Sequence, residues 1–328
     1  MLSFFRSSHT PVILMVFLLG GLTWICALLN PELQMAAKHE MVLASVVNSF
    51  FATAPQLSVC CGLLLTLGIA VLQIYFNRLN HIDKASYLPA LCYVLLIGGV
   101  PAIHQCNPAI IAAILLIIAV MQLMVSFQSE QLSYAYFSAP LCISLAVFFY
   151  QYAYIFMLVV WLCILFFRPV YWREWIFSIL GFIFPFVWWF GWLFLSDGDY
   201  AQIFAMSEAM FVFPHIVPDF DAATILFLLF NGVLILISLG YLLRNIGAKK
   251  IIVRNSYYTL LLIAVSMFVM TVIVPDILPF AWYLMAFPLS FFLSYFLANV
   301  RSFRLGNIVL WSLILMIGIA QSIFYFTH

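Results

Sequence analysis

The chain has 328 residues, 67% of them hydrophobic and only 7% charged, with a formal net charge of +1. Soluble domains are about half apolar and about a quarter charged, so a water-clothed globule is excluded and lipid must be the main solvent. The near-zero balance gives no electrostatic footprint for a nucleic-acid partner.

The first apolar run, Pro11–Leu29, is longer than a signal-peptide core and no small-x-small cleavage site follows it. It is expected to be a retained first span. Crossing about 30 Å of hydrocarbon takes roughly 20 residues of helix. Further candidate spans follow at 55–76, 86–101, 108–125, 132–149, 151–167, 176–195, 222–243, 257–275, 278–299 and 306–326. The sequence therefore predicts an all-α fold: one integral membrane domain over residues 1–328, a polytopic helical bundle of about eleven spans. The third, fifth and sixth runs are short or tightly joined, with "FYQYAYIF" (148–155) as the whole turn between two of them, so counts of ten to twelve stay open. Pro140, Pro185 and Pro288 fall inside spans and should kink them, with neighbouring helices satisfying the freed carbonyls.

Charge then orients the chain. With the N-terminus in the cytoplasm, the inner segments hold Arg6, Arg78, Lys84, Arg168, Arg173, Arg244, Lys249, Lys250, Arg254, Arg301 and Arg304, which is eleven of the twelve Lys and Arg residues; only Lys38 falls outside. Eight of the eleven acids fall on the outer side: Glu32, Glu40, Asp197, Asp199, Glu208, Asp219, Asp221 and Asp276. Basic residues resist translocation, so the expected topology is N-in, C-out. The crowded stretch "FFRPVYWREW" (166–175) then reads as a cytoplasmic turn, its arginines holding the turn inside and its aromatics suited to the headgroup layer.

Two outer loops are long. Residues 31–54 begin too polar to span, and Gln34, Lys38, Ser45 and Asn48 share a helical face, so an interfacial helix is expected there. A second surface-lying element is expected at 200–215, within a loop that has acids at both ends and an apolar middle. These loops gather the acids on one face, where carboxylates can act as general bases or hold a divalent cation. Glu40, Asp197 and Asp199 are the candidate catalytic residues. The layout is similar to that of GT-C-type glycosyltransferases, which place a carboxylate in the first outer loop beside a surface helix. Here that loop has no Asp-x-Asp pair; the "DGD" at 197–199 lies in the later loop.

The seven cysteines, Cys26, Cys60, Cys61, Cys92, Cys106, Cys142 and Cys163, mostly sit in apolar runs and have no zinc or disulfide spacing. The six histidines are scattered over both faces, mostly in loops, which points away from a lipid-buried iron site. No metal ligands and no phosphate-cradling glycine loop are expected, and no cofactor is indicated. Gln73, Asn231 and Gln321 are polar within spans and suited to bonds between helices.

Three stretches carry a family resemblance: "YFNRLNHIDKASYLPALCYVLLIGGVP" (75–101), "NPAIIAAILLIIAVMQLM" (107–124) and "FFRPVYWREWIFSILGFIFP" (166–185). With Asn77 and Asn80 before a span that opens on a Tyr, the Asn107-Pro108 step and the Arg-x-Trp-like turn at 168–175, about the first 200 residues resemble an uncharacterised polytopic membrane family of Bacteroidota, the domain-of-unknown-function group DUF6427. The resemblance implies a Gram-negative inner membrane and no particular activity.

Three functions fit the residues. The first is a membrane scaffold or assembly subunit working through helix–helix contacts with other membrane proteins. The second is a GT-C-like enzyme acting on a lipid-linked, polyprenyl-type glycan substrate at the outer face. The third is a lipid transporter or flippase, with "FVWWFGWLF" (186–194) lining a lipid groove. Membrane lipids are partners under all three.

Overall fold

In hydrocarbon no water competes for backbone groups, so each N–H and C=O must be satisfied within the chain, and long apolar runs close into helices. The computed structural model describes residues 5, 10–31, 41–80, 82, 87–126, 134–167, 171–196, 221–300 and 302–327. Within them the helices are α1 (Thr10–Leu29), α2 (Val42–Ala52), α3 (Pro55–Asn80), α4 (Leu88–Gly98), α5 (Pro108–Ser126), α6 (Ala135–Phe149), α7 (Phe156–Phe167), α8 (Trp172–Leu195), α9 (Ala222–Asn245), α10 (Ile251–Ile273), α11 (Leu278–Asn299) and α12 (Phe303–Thr327), with short 3-10 turns at 101–103, 151–155, 246–248 and 275–277. The described residues contain no strand. Eight helices, α1, α3, α5 and α8 to α12, are long and apolar enough to cross a membrane; α2, α4, α6 and α7 are shorter. The protein is an all-helical membrane bundle.

Each expected apolar run contains a helix, but four begin earlier than hydropathy indicates, two of them by a turn or more. α8 starts at Trp172 and α10 at Ile251, ahead of the expected 176 and 257. Hydropathy marks the apolar slab, whereas a helix keeps its ladder for a turn or two into the headgroup layer. Arg173, Glu174 and Arg254 are therefore helical. Glu174, expected in a solvated turn, is 4% exposed. It sits in the first turn of α8, where the partial positive charge of a helix N-terminus favours a carboxylate. Tyr171 and Trp172 beside it are exposed, as rings at a headgroup layer would be.

The run expected at 86–101 differs more. Its helix, α4, has only 11 residues, about 16 Å at 1.5 Å per residue, roughly half a bilayer core. Every residue of α4 is buried. It leans on α11, α3 and α1. α11 is the centre of the bundle: 94% of its apolar window is buried, against 22% in α8, and it touches α4, α5, α9 and α10. Pro288 lies inside α11, Pro140 inside α6 and Pro185 inside α8, each within a continuous helix.

α8 is the outlying helix. It packs chiefly on α6, with a smaller contact to α7. Gly181 is what lets the α6 and α8 backbones meet: a Cβ there would stand 2.2 Å from the Phe137 carbonyl oxygen. α2, inside the expected interfacial segment 31–54, lays Ala44 inward and exposes Val46 and Phe50; it touches α3, α5 and α6. Residues 32–40, with Gln34 and Lys38, lie outside the described set, as does the whole segment expected at 200–215.

The two ends of the bundle differ in charge. Arg78 closes α3, Arg173 opens α8, Arg244 closes α9, Lys249 and Lys250 precede α10, Arg254 lies in its first turn and Arg304 opens α12. All belong to the end away from α2. Asp221, at the N-terminus of α9, and Asp276, between α10 and α11, belong to the α2 end. Lys84, Arg168 and Arg301 lie outside the described residues.

Gly181→Ala should lower the thermal midpoint of the detergent-solubilised protein by the equivalent of about 1–3 kcal/mol of overpacking. Gly191→Ala, on the same helix with nothing within 4 Å of the added Cβ, should leave it unchanged or slightly raised through helix propensity. A thermal-shift series on the two variants decides it.

Candidate functional site

The last carbonyls of a helix have no partner in their own ladder. α4 ends at Gly98 inside the bundle, so its carbonyls cannot reach bulk water. Side chains from distant parts of the chain take them. Trp282 Nε1 of α11 donates to the Leu96 carbonyl at 2.9 Å. His104, in the turn after α4, places Nε2 3.1 Å from the Ile97 carbonyl. Gln321 of α12 donates through Nε2 to the Gly98 carbonyl at 3.0 Å and to the Thr23 carbonyl of α1 at 2.6 Å. One turn further on, Tyr283 Oη donates to the Ile103 carbonyl.

The turn from 99 to 107 is fastened as closely. The His104 ring stacks on Trp24 at 4.6 Å and 16°. Cys106 N–H donates to Ser58 at the start of α3, and a Cβ on Gly62 would stand 2.6 Å from the Gln105 backbone. Asn107 Oδ1 accepts the Ala109 N–H at 3.0 Å and caps α5, whose first residue is Pro108, a pairing of N-cap and N1 that starts helices well. Deeper in, Ser290 Oγ lies 2.7 Å from the Phe287 carbonyl and 3.3 Å from Gln73 Oε1, while Gln73 Nε2 has no partner. Turning that amide over lets Nε2 donate to Ser290, which then donates to Phe287.

Burial sets the ionisation of this turn. His104 is fully buried, and desolvation lowers its pKa from 6.5 to about 4 even though the Ile97 carbonyl pulls the other way. The ring is therefore neutral near pH 7, with its proton on Nε2 and Nδ1 unpartnered. Burial, with a smaller contribution from nearby Cys61, raises the Cys106 thiol to about 12, so it is not a thiolate nucleophile. His104 and Cys106 both lie in a turn between helices, but a turn folded into the core.

The second feature is lateral. α2, α6 and α8 enclose an almost wholly apolar groove of about 420 Å³, walled by Leu43, by Leu141, Leu145 and Phe148, and by Phe184, Pro185, Trp188 and Trp189. The Trp189 indole Nε1 is buried without a hydrogen-bond partner. A further apolar groove of about 560 Å³ lies on the other flank of α8, against α7 between Tyr154 and Trp161.

The candidate acids Glu40, Asp197 and Asp199 lie outside the described residues. In sequence, Glu40 directly precedes Met41 before α2, and Asp197 directly follows Ser196 after α8; both helices wall the first groove. Of the eight outer acids, only Asp221 and Asp276 are described. They sit on different connections, and Asp276 lies within electrostatic reach of Tyr150 and Tyr152. Among the described residues no three His, Cys, Asp or Glu side chains gather as a metal site. Sequence reasoning singled out Gln321 but missed Trp282, Tyr283 and His104, because an aromatic in an apolar run reads as packing until a carbonyl is found opposite its polar atom. The resemblance residues have structural roles: Arg78 donates to the Tyr87 hydroxyl at 2.9 Å, and Asn80 Nδ2 donates to the Phe76 carbonyl. No family model, curated protein or solved structure matches the chain.

Gln321→Leu should destabilise the protein by about 1–3 kcal/mol, the cost of an orphaned buried carbonyl, while Ser322→Ala beside it, exposed and bonded only to its own helix, should be neutral; thermal unfolding in detergent measures both. His104 also predicts a pH dependence. Its folded pKa of about 4 lies below the unfolded 6.5, so its neutral burial costs nothing above about pH 6.5. Between about pH 6.5 and 4 the unfolded state binds the extra proton and stability falls. His104→Gln, which keeps a donor for Ile97, should flatten that acid limb of the thermal midpoint.

Proposed function

We propose that the protein resides in a bacterial inner membrane, crosses it eleven times with its N-terminus in the cytoplasm and its C-terminus outside, and serves as a scaffold or assembly subunit for other membrane proteins. The sorting of the described basic residues to one bundle end, with Asp221 and Asp276 at the other, supports this orientation. The observation that carries the scaffold reading is the division of the bundle into a fastened centre and loosely covered outer helices. The buried polar side chains around α4 hold backbone carbonyls, while only 28% of the α1 window, 22% of α8 and 28% of α9 is buried. Broad apolar and aromatic faces, with Trp188 and Trp192 on α8 and Trp311 on α12 exposed, suit helix-to-helix recognition.

The lateral groove favours a second reading, an enzyme on a lipid-linked substrate. A polyprenyl or acyl chain fits between α2, α6 and α8, and the chain segments carrying Glu40, Asp197 and Asp199 adjoin two of those helices in sequence.

Photo-cross-linking residues at Trp188, Trp192 and Trp311 in native membranes, in a strain carrying compartment-specific reporters on the two ends, test the first reading. The expected result is opposite compartments and a discrete protein adduct on one face. Lipid adducts alone at all three positions would remove the scaffold reading. Glu40→Gln, Asp197→Asn and Asp199→Asn should each complement a deletion strain fully; loss from any one, with normal insertion, replaces the scaffold by the enzyme.

A further inference from the structure

The end of the bundle away from α2 holds a groove of different character. It lies between the end of α7 and the first three turns of α10, encloses about 480 Å³, and is lined by Phe166, Arg254, Asn255, Tyr258, Leu261 and Leu262. Five of these residues come from α10 at i, i+1, i+4, i+7 and i+8, so they form one stripe on the helix. Its order is a guanidinium and an amide, then a phenol, then two leucines, over roughly 12 Å at 1.5 Å per residue. A phospholipid presents the complementary order: phosphate, glycerol ester, acyl chain.

Charge points the same way. Arg254 is half-buried, and among the described residues its guanidinium has no hydrogen-bond or ion-pair partner, its backbone N–H alone bonding to the Lys250 carbonyl. Three other cations at this end are engaged: Arg78 with the Tyr87 hydroxyl, Lys249 over the Tyr295 ring and Arg173 over the Phe177 ring. None of the described carboxylates lines the groove. A guanidinium fork matches two phosphate oxygens at once.

We propose that this groove binds one anionic phospholipid, its phosphate held by Arg254 with Asn255 and Tyr258 donating beside it, Phe166 walling the glycerol level and one acyl chain lying along Leu261 and Leu262. A free phosphate would use only the polar end and leave the leucine wall unmatched, so the membrane lipid is the ligand. The site rests on membrane embedding and is independent of the scaffold reading.

Native mass spectrometry of the whole protein, delipidated in neutral detergent and titrated with phosphatidylglycerol or phosphatidylcholine, tests it. The expected result is one phosphatidylglycerol bound at least tenfold more tightly than phosphatidylcholine. Arg254→Gln should erase that preference, and Arg304→Gln, a basic residue at the same end but outside the groove, should preserve it. Glycerol phosphate in excess should not displace the lipid. A preference that survives Arg254→Gln, that falls equally in Arg304→Gln, or that yields to glycerol phosphate overturns the proposal. Should Arg254→Gln fail to fold, Leu262→Trp, which fills the apolar end, decides instead: binding of phosphatidylglycerol falls tenfold or the site is wrong.

Discussion

A helix end inside a membrane protein has to be closed by the protein itself. α4 stops after 11 residues, and a bare carbonyl in hydrocarbon costs several kcal/mol. The structure closes it with Trp282, His104 and Gln321, which come from α11, the following turn and α12. These contacts fix more than α4. Gln321 also holds the Thr23 carbonyl, so one amide ties α1, α4 and α12 together. Trp282 and Tyr283 bind the first turns of α11 to both ends of the same connection, which is why the most buried helix of the bundle sits where it does. The stacking of His104 on Trp24 and the close approach at Gly62 then leave that turn one arrangement.

The positions of the apolar helices were legible because hydropathy responds to the solvent, and here the solvent is lipid. Helix ends were less so: the ladder of α10 continues through Arg254 and Asn255, where hydropathy has already fallen. Interior and exterior faces were hardly legible at all. In a soluble helix, polar residues mark the outer face; in this bundle both faces are apolar, so nothing in Leu88–Gly98 separates it from a lipid-facing span, although every residue of it is buried. Glu174 shows the converse, a charge that reads as solvated and is buried. The polar contacts around α4 join residues up to 298 positions apart, a separation at which one sequence carries no pairing signal.

Polar groups within membrane spans usually mark pathways or catalytic centres. Around α4 they have another use. His104 directs its proton to a carbonyl and is kept neutral by burial, the Cys106 thiol is held protonated, and the donors of Trp282 and Gln321 are committed to backbone. A group that is holding the backbone cannot move without unseating α4, and a catalytic acid–base pair needs freedom to exchange protons with a substrate.

Open apolar surface is therefore left to the perimeter. Among the described residues, three grooves of about 420, 480 and 560 Å³ flank α7 or α8, away from the fastened turn after α4. α8 leans on the bundle mainly through α6 and the Gly181 crossing, so its lipid-facing surfaces can be matched to a partner or a lipid without disturbing the carbonyl contacts that hold the centre. A protein built in this way separates what keeps it folded from what it can bind: the first needs buried donors at fixed distances, and the second needs apolar surface graded towards charge at a headgroup, as the stripe from Leu262 to Arg254 provides.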